Sequence, residues 1–76
     1  MTHLSDRIRL SKILSSYGLV AMEDEFLRVY DIYLDCGRFY FRRNFLYRLT
    51  GEKLATMSDQ EIEDIAIECA IESMAL

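Results

Sequence analysis

Four carboxylates, Glu61, Asp64, Glu68 and Glu72, recur at spacings of three, four and four. On a helix these spacings set them in one row. The surrounding stretch 59–72 also carries Asp59 and Glu63 and holds no basic residue. Like charges at such spacings oppose a helix by about 0.2–0.5 kcal/mol per pair, so stability alone does not favour the row. A basic partner surface would reward it, because complementary charge steers association. Two other readings stand beside that one. The row is a solvated face that keeps a small acidic protein soluble, or it docks on the chain's own Arg42, Arg43 and Arg48.

A second set of residues invites a different chemistry. Arg38, Arg42, Arg43 and Arg48 alternate with Phe39, Tyr40, Phe41, Phe45 and Tyr47, a mixture that resembles a stacking platform for single-stranded nucleic acid. Eight of the nine aromatics fall between Phe26 and Tyr47, in the middle of a small chain that needs a core. The net charge of −4 also opposes phosphate binding, which rests on a basic patch. A helix-turn-helix over 50–57 and 58–70 would present Glu61, Glu63, Asp64 and Glu68 to phosphates, and electrostatics disfavours it.

Catalytic parts are scarce. Acyl transfer needs a nucleophile, a base and an orienting group, and His3 is the lone histidine. Gly18, Gly37 and Gly51 are isolated, so no phosphate loop is present. Cys36 and Cys69 lie too far apart for zinc spacing. The expectation is no enzyme, no metal and no cofactor. Both cysteines sit at apolar positions and read as core atoms in a reducing compartment.

The elements that must position these groups are punctuated by the glycines. Residues 5–17 read as a helix with Ser5 as N-cap, Leu10, Ile13, Leu14 and Tyr17 on one face, and Gly18 as a left-handed stop. Residues 22–36 read as a second helix, with Glu23, Asp24 and Glu25 at its positive end and a wide apolar face of Met22, Phe26, Val29, Tyr30, Ile32, Tyr33 and Cys36. Ser58-Asp59-Gln60-Glu61 is a capping box that opens a helix over 58–74. The stretch 38–50 is ambiguous. With period two, Phe39, Phe41, Phe45, Tyr47 and Leu49 share one face, a strand pattern. Because a lone ribbon is weak, the sequence predicts an all-α bundle of about four helices, roughly 5–17, 22–36, 38–50 and 58–74, in one domain over 1–76. The alternative is α+β with a short hairpin at 29–43, turning at Cys36-Gly37.

The string Leu54 to Ile67 resembles the L-x-x-L/M-S-D-x-E-L-x-D-I-G-L string of small arginine-rich YjiS-like bacterial proteins. It covers 14 of 76 residues, the family's glycine is Ala66 here, and no function is carried across.

The composition is 51% hydrophobic, too apolar for a disordered chain, and a domain of this size is only marginally buried. Ile67, Ile71 and Met74 fall outside the Ile62/Ile65/Cys69 face of the last helix, which predicts self-association as a homodimer. Charges at Asp6, Arg7, Arg9 and Lys12, followed by an apolar stretch that Ser15, Ser16 and Gly18 break, do not read as a signal peptide, and no apolar run reaches the ~20 residues of a membrane span, so a cytoplasmic protein is expected. The reading that follows is a small acidic regulator or inhibitor that occupies a basic surface on another protein. A phage- or plasmid-borne inhibitor, including an anti-CRISPR type, fits this profile. A nucleic-acid-binding regulator using 38–48 and a structural subunit of a larger assembly are the alternatives.

Overall fold

A computed structural model describes residues 2–37 and 44–75. The chain runs α1 (Thr2–Ser15), β1 (Leu19–Asp24), β2 (Val29–Leu34), β3 (Phe45–Thr50), α2 (Gly51–Thr56) and α3 (Asp59–Ser73). The strands form one antiparallel sheet in the order β1-β2-β3. The all-α bundle is therefore wrong, and the class is α+β.

The predicted helix over 22–36 is instead the end of β1, a turn, and β2. Val-Tyr-Asp-Ile-Tyr-Leu is rich in β-branched and aromatic residues, which suit a pleated surface. Its apolar residues serve two faces of a strand rather than one face of a helix. Tyr30 and Ile32 are buried in the core and Leu34 packs against it, while Tyr33 lies on the opposite face, edge-on to Phe45 at 5.7 Å between ring centres. The acidic run Glu23-Asp24-Glu25 caps nothing helical. Asp24 instead accepts a hydrogen bond from the Leu27 amide at 3.0 Å and shapes the turn, which Arg28 closes in the left-handed region at φ 56°. The Arg28 carbonyl then accepts from the Gly51 amide at 2.9 Å. A Cβ at Gly51 would lie only 3.3 Å from that oxygen, so a side chain there would press on the turn by a few tenths of an ångström.

The predicted helix over 38–50 is contradicted at its C-terminal half, where residues 45–50 are β3. Residues 38–43 lie outside the described residues, and with them Arg38, Arg42, Arg43, Phe39, Tyr40, Phe41 and the second limb of the alternative hairpin. The first limb, 29–35, corresponds to β2, whose described partners are β1 and β3. Period two also fails inside β3. Ile32 pairs with Tyr47 but Tyr33 pairs with Phe45, so Leu46 is one residue too many and forms a bulge. Leu46 is buried in the core with Tyr47 packed against it, while Phe45 is exposed.

The helices pack on one face of this sheet. Leu10 and Leu14 of α1, Leu54 of α2, and Ile62, Ala66 and Cys69 of α3 meet Leu19, Tyr30, Ile32, Leu46 and Leu49. Each fully buried Leu or Ile stabilises the fold by roughly 1.5–3 kcal/mol through burial. Arg9 binds the three helices together. It donates to Asp6 on α1 at 3.1 Å, to Asp59 at the start of α3 at 2.8 Å, and to the Leu54 carbonyl of α2 at 3.0 Å.

Helices α1 and α3 lie close to the predicted spans. Ser5 is not the N-cap, because α1 begins at Thr2 and Ser5 sits inside it. Gly18 does adopt a left-handed φ of 69° after the helix. At α3 both bonds of the capping box are present: Glu61 N–H to Ser58 Oγ at 3.2 Å and Ser58 N–H to Glu61 Oε1 at 2.9 Å. Among the described residues no helix is long and apolar enough to cross a membrane.

Candidate functional site

Helix α3 buries Ile62, Ala66 and Cys69 and packs Ile65 against the core, which leaves its opposite side exposed. Two rows occupy that surface. Glu61, Asp64, Glu68 and Glu72 are all exposed. Beside them run Ile67, Ile71 and Met74, spaced by four and three and also exposed, Ile71 to 63% and Met74 to 85%. The sequence-predicted acidic and apolar residues are thus brought together on one flank of a single helix.

The four acids are not equivalent. Glu61 is committed to the capping box, and the Ser58 backbone N–H, followed by the Ser58 hydroxyl, holds its carboxylate below the ordinary value. Asp64 accepts from Gln60 at 3.0 Å. The carboxylates of Glu68 and Glu72 have no hydrogen bond or ion pair among the described residues. Glu63 lies off the row and accepts from the Tyr17 hydroxyl at 2.8 Å, tying α3 to the end of α1. That bond is the first cause, ahead of burial, for a raised Tyr17 phenol pKa.

The basic set does not meet this row within the described residues. Arg48 lies on β3 and engages Asp31 of β2 through Nε to Oδ1 at 2.7 Å and Nη2 to Oδ2 at 3.0 Å. This fork-to-fork pairing holds its guanidinium pKa above the ordinary value, the hydrogen bond to Asp31 being the largest cause. Arg48 is therefore not the dock for α3's acids. Arg38, Arg42 and Arg43 lie outside the described residues.

The two cysteines part company. Cys69 is buried, and burial first, then Glu72 and Glu68, pushes its thiol pKa up to about 11. Cys36 corrects the prediction of a core thiol. It is exposed just after β2, where the Asn44 amide donates to its sulfur at 2.7 Å. It follows a strand that ends at Leu34, so no burying face reaches it.

A groove that the sequence did not announce lies between the β1–β2 turn, α1 and α2. Asp6, Glu23, Glu25 and Glu52 line it, with Arg28 as the opposing charge. Its signal was the run Glu23-Asp24-Glu25, read as a helix terminus. Glu23 is engaged by Arg7 at 2.7 Å. Among the described residues no group of three or more His, Cys, Asp or Glu could hold a metal ion, and no buried side-chain polar atom lacks a hydrogen-bond partner. The outer flank of α3 thus presents exposed carboxylates alongside exposed apolar side chains. Comparison with protein-family models, with curated proteins and with solved structures gives no match.

Proposed function

We propose that this chain is a stand-alone regulatory or inhibitory binding protein that covers a basic surface on a larger protein. Its contact surface is the outer flank of α3. One observation carries the reading: Glu68 and Glu72 stand without partners among the described residues, directly beside exposed Ile67, Ile71 and Met74. Uncovered apolar residues beside charge are the composition of an interface. The apolar row supplies buried area on association, and the carboxylates set partner choice and on-rate. The proposed setting is the cytoplasm, where an exposed thiol such as Cys36 stays reduced. No catalytic role is assigned.

The test is capture of the partner by tagged protein from its native host, repeated with two variants. Glu68→Lys with Glu72→Lys reverses the local charge, and Ile71→Glu removes the apolar contact. Both leave the core untouched, so both should fold as the native chain does, the charge reversal melting slightly higher because it turns the 64–68 repulsion into an attraction. Each should release a captured protein, with the charge reversal acting chiefly on the association rate and losing its effect at high salt. Retention of the partner by both variants would falsify the assignment to α3. Capture of nucleic acid in place of protein would overturn the reading as a whole.

A further inference from the structure

The three-stranded sheet has two edges, and they are finished differently. On β2, hydrogen bonding alternates. The Asp35 amide donates to the Gly18 carbonyl, so within the register of β1 and β2 the bonded pairs are Val20–Tyr33, Met22–Asp31 and Asp24–Val29. The N–H and C=O groups of Leu19, Ala21 and Glu23 consequently point out of the sheet. They have no hydrogen-bond partner among the described residues. Natural edges are blunted by proline, lysine, bulges or a covering element. β1, Leu-Val-Ala-Met-Glu-Asp, contains no proline, lysine or arginine, and its six pairs with β2 run without a bulge.

We infer that β1 pairs antiparallel with β1 of a second copy about a two-fold axis at Ala21, joining two sheets into one. The residues are self-complementary in that register. Ala21 meets its own copy, Leu19 meets Glu23 of the second copy, and each of these bonded pairs exchanges two backbone hydrogen bonds. On the open face Val20 lies opposite Met22 of the second copy, apolar against apolar. Asp24 falls opposite Gly18 of the second copy, so no acid faces an acid. A two-residue slip that centres the axis on Glu23 would set the two Glu23 side chains against each other, which like charge disfavours.

Helix α1 carries a second, independent mark of the same contact. Its flank toward α3 is set by Arg9, which reaches Asp59. Arg7 leans the other way, to Glu23 on β1. Beyond Arg7, on the side of the open edge, Leu4, Ile8, Ser11 and Ser15 follow one another at spacings of four, three and four, and all are exposed. Leu4 and Ile8 are each 49% exposed. Two copies joined at β1 bring these rows together beneath the shared sheet, with small serines where the helices approach. The dimer leaves α3's outer flank clear for a partner.

Analytical ultracentrifugation of the full chain at micromolar concentration is expected to give a dimer. Ala21→Pro deletes only the outward N–H, a position where an edge tolerates proline, and is expected to give a folded monomer, as is Ile8→Lys. Ile71→Glu is expected to stay dimeric. A covalent check covers the case in which Ala21→Pro fails to fold. In a Cys36→Ser background, Ala21→Cys places two thiols on Cα atoms about 5.5 Å apart, within disulfide reach. Mild oxidation should convert it to a covalent dimer far faster than Met22→Cys in the same background. A native monomer overturns the inference. So does a dimer that Ile71→Glu dissociates, or an Ala21→Cys chain that cross-links no faster than Met22→Cys.

Discussion

The β3 edge of the sheet is closed by a bulge, a charge and a helix, where the described β1 edge carries only the two acids at its end. β3 carries the bulge at Leu46, the charged Arg48 and, at its end, Thr50, whose hydroxyl accepts from the Lys53 amide as the N-cap of α2. The chain then turns straight into α2, which Leu54 anchors in the core. β1 ends only in Glu23 and Asp24, with Arg7 clasping Glu23 on the helix side. The bulge costs regular pairing, and each feature on β3 makes a further strand harder to add. The asymmetry indicates that one edge is a terminus and the other a junction.

That comparison can be broken from the protected side. The largest effect is expected from Leu54→Ala, which empties a fully buried site beneath α2 and should cost about 2–5 kcal/mol. If α2 guards the edge, amide exchange in β3 should accelerate more than in β1. Equal acceleration in both strands would reduce α2 to an ordinary part of the core. Next comes Thr50→Ala, which removes the cap and should lower stability by roughly 1 kcal/mol in chemical denaturation, with faster exchange at Gly51, Glu52 and Lys53. Changing Asp64, Glu68 and Glu72 to glutamine removes the like-charge pairs 61–64, 64–68 and 68–72, and should stabilise the chain by about 0.6–1.5 kcal/mol. A lower melting temperature there would mean that the acids are paired within the chain. The smallest effect is expected from Arg48→Met, since ion pairs in water contribute little. Its expected signature is self-association through β3, visible as aggregation in a protein whose melting temperature has barely moved.

The elements legible in the sequence were those whose local signals agree with their tertiary surroundings. Ser58 and Glu61 satisfy each other within one turn of chain, so α3 was readable to within a residue. Gly18 stops α1 by a property of its own backbone. Residues 22–36 misled because Met22, Phe26, Val29, Tyr30 and Tyr33 fit a helical face, while their real partners lie on strands the local pattern cannot see. The capping value of Glu23-Asp24-Glu25 is likewise satisfied equally well by a turn, and nothing nearby distinguishes the two. In β3 the alternation was visible, but one extra residue at Leu46 reverses which side chains before it face the core. Of the candidate site, the acidic row and the apolar row were both read from spacing alone. The commitment of Glu61 to the cap was also implicit in the box. The acidic groove was not legible, because Asp6, Glu23, Glu25 and Glu52 converge only once the sheet has formed.

The buried Cys69 thiol gives the molecule an internal clock. The thiolate is the form that attacks a thiol reagent, and a pKa raised to about 11 with the sulfur out of reach leaves Cys69 silent while α3 stays on the sheet. Every modification of that sulfur therefore records an opening of the fold, and exposed Cys36 on the same chain reports how fast the reagent works at a surface thiol. The ratio of the two rates is the fraction of time the core stands open. Alkali should speed the clock. In the unfolded chain the thiol ionises near 9, and in the folded chain only near 11, so folding loses free energy to the ionised open state as pH climbs between those values.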